Sequence, residues 1–221
     1  MIAQQMARDT RSRRGGFTLI ELLAVILIIS ILMAFLLPKI PEAIDRSKVT
    51  ACKKNLQEIY SGLMIHQDKH GRVPDKSGAQ FFGTLVSKGV WENTEASVQK
   101  LTCPGVDIGA LSIGSMEPTE WFANIDAVDG TYSSYAGRDM KNSPLKKFPG
   151  SGKEPLVADD NDGSDTEGNH RTTTVVLYAD GNVGTHELFE LREKGVIDDT
   201  VEVLKVGPDS PLEELRKLSI D

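Results

Sequence analysis

Apolar residues form one nearly unbroken run near the start of the chain, from Phe17 to Leu37. As an α-helix this run would span about 32 Å, which matches the hydrocarbon core of a bilayer. The polar residues within it are Thr18, Glu21 and Ser30. The pattern therefore predicts a transmembrane helix that carries one carboxylate in its first turn.

After this run the pattern becomes amphipathic. Apolar or weakly polar residues recur at spacings of three and four, and they are Val49, Cys52, Leu56, Ile59, Leu63 and His66. We expect one long helix from Phe17 to about His70, where Gly71 ends it. Pro38 and Pro41 each remove an amide donor, which favours a kink or local melting near the membrane exit.

The remaining residues predict a small mixed head. "AQFFGTLVSK" is a helix, "TYSSYAGRDM" and "PLVADD" are strands, and "TTTVVLYADGNVGTHEL" is a hairpin turning at Asp180 and Gly181. "DSPLEELRKL" predicts an appended helix with a capping box from Ser210 to Glu213. The predicted fold class is α+β. A long N-terminal helix, with a membrane half and an amphipathic half, packs on a small antiparallel-sheet head.

Charge is distributed unevenly along the chain. The formal net charge is −7, yet the first 16 residues contain Arg8, Arg11, Arg13 and Arg14. Arginines ahead of an apolar helix place the N-terminus in the cytoplasm, so the head would be exported. An acidic head argues against nucleic acid as a partner, because binding phosphates requires clustered positive charge.

An ordinary secretory signal has a similar order of basic and apolar regions. The apolar run here is longer than a usual signal core, and "LLPKIPEAIDRS" after it offers no convincing small-x-small cleavage site. A plain membrane anchor is a second alternative, but it leaves Glu21 unexplained. A carboxylate at the centre of a transmembrane helix costs roughly 2.5–3.5 kcal/mol on insertion scales.

The segment "RRGGFTLIELLAVILIISILMAFLLP" closely resembles the N-terminus of type IV pilins and of type II secretion pseudopilins. The resemblance implies that a prepilin peptidase cuts between Gly16 and Phe17 and methylates the new N-terminus on Phe17. It also implies that Glu21 acts in subunit assembly. The amine of one subunit would approach the carboxylate of its neighbour, and each would offset the desolvation of the other.

A second resemblance lies in the head. "HRTTTVVLYADG" is similar to the H-x9-DG segment of a large group of prepilin-like proteins, and "TCPG" resembles a Cys-Pro found in the middle of that group. His170, Asp180 and Gly181 would be the structural residues of this motif. We interpret His170 as a buried hydrogen-bonding residue, with metal ligation and catalysis as alternatives.

The resemblance implies an organisation and a set of partners. The expected regions are a leader (1–16), a membrane or filament-core helix (17–37), its amphipathic continuation (38–70), a pilin-like head (71–197) and a C-terminal extension with a short helix (198–221). The chain would be a subunit of a type IV pilus or a secretion pseudopilus, anchored in the inner membrane with a periplasmic head. Its partners would be other pilin subunits, the peptidase and an assembly platform. The alternative function is an anchored binding module or a minor tip subunit that recognises an exported substrate.

Motifs of catalysis are missing from the sequence, since no GxSxG, HExxH or Gly-rich phosphate loop occurs in it. We therefore expect no enzymatic activity and no organic cofactor.

The acidic segment "ADDNDGSDTEGNH" is a candidate Ca²⁺ site, because clustered carboxylates suit that ion. The candidate ligands are Asp159, Asp160, Asp162 and Asp165. The segment does not fit an EF-hand loop, and a solvated acidic loop is the alternative interpretation.

Two cysteines occur in the chain, Cys52 and Cys103. Cys52 belongs to the apolar stripe of the predicted helix, and Cys103 lies in the turn-prone "TCPG" segment. Export into an oxidising compartment would permit a disulfide between them. The alternative is two small buried residues that never meet.

Overall fold

The computed structural model describes residues 17–161 and 168–221, which form two compact units, one ending at Ala43 and one starting at Ile44. The α-helices are α1 (Leu19–Leu36), α2 (Ile40–His70), α3 (Gly78–Ser87), α4 (Glu95–Val98) and α5 (Leu188–Glu193). The strands are β1 (Tyr135–Arg138), β2 (Pro155–Asp159), β3 (Thr173–Tyr178), β4 (Val183–Glu187) and β5 (Leu218–Ser219).

Helix α1 carries the apolar run, and its side chains are exposed. The short 3-10 helix Leu37–Lys39 follows it, at the point where Pro38 removes an amide donor. Within the described residues, the helical stretch Leu19–His70 is the one that is long and apolar enough to cross a membrane. Exposed apolar side chains around a whole helix are unfavourable in water and suit a lipid surrounding.

Helix α2 buries the stripe that its sequence predicts. Its buried residues are Cys52, Leu56, Ile59, Gly62, Leu63 and His66. The helix ends at His70, and Gly71 follows with a φ of 73°. Such a left-handed residue closes a helix, and glycine adopts it without steric cost. The expected end of the helix is therefore confirmed.

The sheet has five strands in the order β4-β3-β2-β1-β5, and each neighbouring pair is antiparallel. Strands β3 and β4 form the predicted hairpin. Gly181 adopts a φ of 86° in its turn, and the carboxylate of Asp180 accepts the N–H of Asn182. The expectation of an α+β fold with a long N-terminal helix and an antiparallel sheet is confirmed.

Both faces of the sheet are covered. Val175 and Leu177 of β3 pack in the same core as residues of α2 and α3, whereas Val176 and Tyr178 pack in a second core with residues of α5. This division follows from the two-residue period of a strand. It explains why β3 is buried along its whole length and lacks a solvent-exposed face.

The C-terminal segment differs from its prediction. The structure has a 3-10 helix, Glu214–Lys217, where an α-helix was expected, and the Ser210 hydroxyl accepts the N–H of Leu212 and not that of Glu213. Leu218–Ser219 then pairs with β1 as strand β5. An extended strand so soon after Lys217 leaves no room for a longer helix. The segment is therefore part of the sheet and not an addition to its surface.

Truncation of a stripe residue tests the role of α2. Leu56→Ala should lower the free energy of unfolding by about 2–5 kcal/mol, because Leu56 is fully buried and its removal leaves a cavity. Met64→Ala on the exposed side of the same helix is the control and should change the stability little. Urea denaturation of the detergent-solubilised chain, followed by circular dichroism, measures both. Equal losses for the two variants would contradict the packing described above.

Candidate assembly motif and buried polar cluster

Glu21 lies in the first turn of α1, where it closes a reciprocal cap with Thr18. The backbone N–H and the hydroxyl of Thr18 donate to Oε2 of Glu21 at 2.8 and 2.7 Å. Oγ1 of Thr18 accepts the N–H of Glu21 at 3.3 Å. This capping box satisfies donors that a helix start leaves unpaired. It holds the carboxylate close to Phe17, while Gly16 lies outside the described residues.

Four polar side chains meet inside the second compact unit, each from a different segment. Cys52 lies on the buried stripe of α2, and Cys103 lies in the turn after the 3-10 helix Gln99–Leu101. Asp159 is the last residue of β2, and His170 lies shortly before β3. The exposed fraction of each is 3% or less. Cys52, Cys103, Asp159 and His170 are called the polar cluster below.

The donor atoms of the polar cluster lie close together. Sγ of Cys52 is 3.4 Å from Oδ1 of Asp159, and Sγ of Cys103 is 3.3 Å from Nε2 of His170. The same Nε2 is 3.7 Å from Oδ2 of Asp159. One donor atom from each of the four residues falls within 4.8 Å of the other three. The cluster therefore surrounds a single point with two sulfurs, one nitrogen and one oxygen.

Further groups hold these atoms in place. The hydroxyl of Tyr135 lies 3.3 Å from Sγ of Cys52. The N–H of Gly105 donates to Sγ of Cys103 at 3.3 Å. The N–H of Val175 donates to Oδ2 of Asp159 at 2.8 Å. Nδ1 of His170 faces Oδ1 of Asp45 at 3.8 Å. Sequence reasoning missed Tyr135 and Asp45: Tyr135 lies 24 residues before Asp159, and Asp45, although on the same helix as Cys52, contacts His170 through the tertiary fold.

Asn161 anchors the two ends of the segment between β2 and β3. Its amide group donates to Oγ1 of Thr174 and to the carbonyl of Leu204, both at 2.9 Å. Its side-chain oxygen accepts the N–H of Asn169 at 2.9 Å. Asn161 has a φ of 53°, a conformation that asparagine tolerates better than most residues. These bonds hold Asn169, the residue before His170, next to the end of β2, and Nε2 of His170 lies 3.7 Å from Oδ2 of Asp159.

Burial controls the electrostatics of the polar cluster. It raises the pKa of both thiols and of the Asp159 carboxyl, because water no longer solvates their charged forms. It also raises the pKa of the Tyr135 hydroxyl well above its usual value. Without a cation, both cysteines would therefore be neutral thiols of low reactivity.

The structure divides the acidic segment that was the candidate Ca²⁺ site. Asp159 points into the core and contacts Cys52, so it is not a ligand in a surface loop. Asp160 is also buried. Asp162 and Asp165 lie outside the described residues, and Ca²⁺ binding there stays a prediction.

The H-x9-DG residues lie at opposite ends of one strand. His170 precedes β3 and belongs to the polar cluster, whereas Asp180 lies in the exposed turn after β3. Asp180 therefore stabilises the turn, and the two residues do not form one site.

The structure brings the two cysteines together in the polar cluster, and both are free thiols in it.

Comparisons with known proteins bear on the N-terminal motif. The family model of the prokaryotic N-terminal methylation motif matches residues 11–37. The type II secretion system core protein G of Pseudomonas aeruginosa is 35% identical over 78 residues, which are 35% of this chain and 54% of that protein. The chain thus aligns with about half the length of this curated relative. No solved structure matches the chain significantly.

These matches confirm the resemblance that the sequence indicated. The chain carries the N-methylation motif of prepilin-like proteins and is distantly similar to type II secretion pseudopilins. Pilins and pseudopilins are structural proteins and not enzymes, in agreement with the expectation for this chain. Membership of the narrower H-x9-DG group stays a prediction.

Gly105 offers a test of the packing around Cys103. A Cβ at Gly105 would collide with the carbonyl oxygen of Asn169, next to His170. Gly105→Ala should therefore lower the free energy of unfolding by about 1–3 kcal/mol, as overpacking does. Gly109→Ala is the control, because the nearest atom to its Cβ would be Oδ1 of Asp107 at 3.4 Å. Chemical denaturation of both variants measures the difference, and an unchanged Gly105→Ala chain would contradict this contact.

Proposed function

We propose that this prepilin-like chain is a structural subunit that a prepilin peptidase processes between Gly16 and Phe17. After processing it would assemble into a type IV pilus or a type II secretion pseudopilus. The observation that carries the proposal is the methylation motif over residues 11–37, followed by an exposed apolar helix with Glu21 in its first turn.

The proposed topology follows from the charges around α1. Four arginines precede the apolar run, and Lys39 is the first basic residue after it. We place the N-terminus in the cytoplasm, α1 in the inner membrane and the head in the periplasm. The assembly platform and other pilin-like subunits would be the partners that draw α1 out of the lipid into a filament.

Glu21 would act as the assembly residue. Cleavage before Phe17 leaves a positive amine four residues from the carboxylate, in a lipid or protein surrounding. Two opposite charges 4 Å apart attract each other by about 4 kcal/mol at an effective dielectric constant of 20. Compensation of the helix dipole alone would contribute roughly 0.3–1 kcal/mol. A neighbouring subunit's amine therefore accounts better for a carboxylate at this depth.

The capping box of α1 supports this role. One carboxylate oxygen, Oε2, accepts both Thr18 donors, which leaves Oε1 for a second partner. A carboxylate oxygen accepts more than one hydrogen bond. The cap would hold the side chain in one orientation before the partner's amine arrives.

Leader cleavage is the first test of the proposal. Gly16→Glu should abolish processing, because a long charged side chain at this position prevents close approach of the peptidase to the backbone. Gln4→Glu adds the same charge elsewhere in the leader and should be cut normally. Mass spectrometry of the wild-type chain from membranes should show methylated Phe17 as the first residue. A mature chain that starts beyond Leu37 would contradict the proposal.

Assembly is the second test, and three variants separate charge from capping. Glu21→Gln keeps the capping box, because glutamine also serves at this position, but it removes the charge. It should be processed normally and yet lower the filament yield at least about tenfold, since each 1.4 kcal/mol corresponds to a factor of ten. Glu21→Ala should behave like Glu21→Gln. Thr18→Val removes the hydroxyl of the cap and keeps the charge, so it should assemble at close to the wild-type level.

Quantification of sheared filaments by immunoblot, with the membrane fraction as reference, measures these yields. If Glu21→Gln assembles normally while Thr18→Val does not, Glu21 serves only as a helix cap. A wild-type chain present in very few copies per filament would instead favour the minor tip subunit.

A further inference from the structure

We propose that Cys52, Cys103, Asp159 and His170 form a structural Zn²⁺ site in the core of the second compact unit. The ligands would be the two cysteine sulfurs, Nε2 of His170 and one carboxylate oxygen of Asp159. The proposal does not depend on the proposed function, because it rests on residues remote from the N-terminal motif.

Distances within the polar cluster match the edges of a zinc tetrahedron. Zinc binds cysteine sulfur at about 2.3 Å and histidine nitrogen or carboxylate oxygen at about 2.0–2.2 Å, so its ligand atoms lie roughly 3.3–3.8 Å apart. The separations of 3.4 Å between Cys52 and Oδ1 of Asp159 and of 3.3 Å between Cys103 and His170 fall in this range. The separation of 3.7 Å between His170 and Oδ2, the other oxygen of Asp159, falls in it as well. One donor atom from each of the four residues lies within 4.8 Å of the other three, so a modest side-chain adjustment would bring all four to one ion.

The donor set selects the metal. Two thiolates with an imidazole suit Zn²⁺, whereas Ca²⁺ and Mg²⁺ take oxygen ligands almost exclusively. All four ligands come from the protein and are buried. A closed, four-ligand site leaves no position for a substrate or a reactive water. Such a site is structural and not catalytic.

The buried carboxylate favours a cation at this point. Asp159 is fully buried, and an ionised carboxylate in that position requires a compensating positive charge. Binding of Zn²⁺ would release the two thiol protons to solvent, and the dication with two thiolates and one carboxylate would carry a net charge of −1. The Tyr135 hydroxyl and the Gly105 N–H already contact the two sulfurs and would stabilise their negative charge.

The orientation of His170 agrees with ligation through Nε2. Its Nδ1 is buried and has no hydrogen-bond partner among the described residues. This atom faces the Asp45 carboxylate at 3.8 Å, and that carboxylate accepts the N–H of Arg171 at 3.4 Å. Histidines that bind zinc commonly direct their second nitrogen toward a carboxylate, which fixes the tautomer. A small movement of the His170 imidazole toward Asp45 would form this hydrogen bond between Nδ1 and the carboxylate.

A disulfide between the two cysteines explains less of the cluster. Bonding of the sulfurs to each other would remove the thiol that faces Asp159 and the thiol that faces His170. Two buried polar groups would then lose partners, which is unfavourable because neither can bond to water instead. The zinc site uses all four residues, and both cysteines are free in the structure.

Metal analysis of the full-length chain tests the proposal. Protein extracted from membranes in detergent, without reductant or chelator, should contain about one zinc per chain by inductively coupled plasma mass spectrometry. Cys103→Ser and His170→Ala should each reduce this to below about a tenth, because a structural zinc site requires four ligands. His170→Cys supplies a replacement sulfur and should retain the metal. His70→Ala is the control, since His70 is exposed and outside the cluster.

Cobalt gives a readout that depends on the ligands themselves. The wild-type chain, stripped of metal under reducing conditions and refilled with Co²⁺, should show thiolate-to-cobalt charge transfer in the near ultraviolet and tetrahedral bands in the visible range. The wild-type measurement alone decides the outcome if the variants fail to fold. A folded chain that holds no zinc and has a mass two hydrogens lower carries a disulfide, and this would overturn the proposal. A folded chain with two free thiols that takes up neither Zn²⁺ nor Co²⁺ would overturn it as well.

Discussion

The apolar stripe of α2 packs against one face of the sheet, and the rest of the second compact unit depends on this contact. Leu56 and Ile59 are fully buried in the core that also receives Val175 and Leu177 of β3. Because the stripe has helical periodicity, the same packing directs Cys52 toward the sheet. The helix thus supplies both the main apolar contact and one member of the polar cluster.

The polar cluster is an exception within an otherwise apolar core. Polar groups cost free energy when buried, and they persist in a core when each has a partner. Here the partners come from α2, the turn at Cys103, the end of β2 and the segment before β3. A shared ion would join four segments that are otherwise connected by apolar packing, strand pairing and a few hydrogen bonds. It would fix the register of the helix on the sheet more narrowly than apolar contacts do, because coordination is directional.

Sequence reasoning succeeded where structure follows from local periodicity. The end of α2 at His70, the β3–β4 hairpin and the helix α3 each have a pattern that is complete within about 20 residues. The four cluster residues had each been singled out, yet for separate reasons. Asp159 lies both in the predicted strand "PLVADD" and in the acidic segment, and the sequence does not reveal that its side chain turns inward. The meeting of Asp159 with Cys52 depends on strand register and helix packing, which no local spacing encodes.

The prediction of an appended C-terminal helix is wrong for a related reason. The capping pattern satisfies the local rules for an α-helix. Pairing of Leu218–Ser219 with β1, however, requires an extended backbone. A contact between residues 80 positions apart outweighs the local preference. Propensity is a weak prior when tertiary pairing opposes it.

The last residues of the chain contact residues near the start and middle of the head, and this has a consequence for the folding rate. The carbonyl of Ile220 accepts the N–H of Ala79 at 3.0 Å, and the carboxylate of Asp221 accepts the N–H of Gly130 at 2.7 Å. These contacts join residues that are synthesised far apart, and non-local contacts of this kind slow folding. In the proposed topology the head crosses a membrane, and such a delay would then be an advantage, since the outermost strand closes only after residues 218–221 have emerged. Late closure would keep the head in a translocatable state without a dedicated unfolding step.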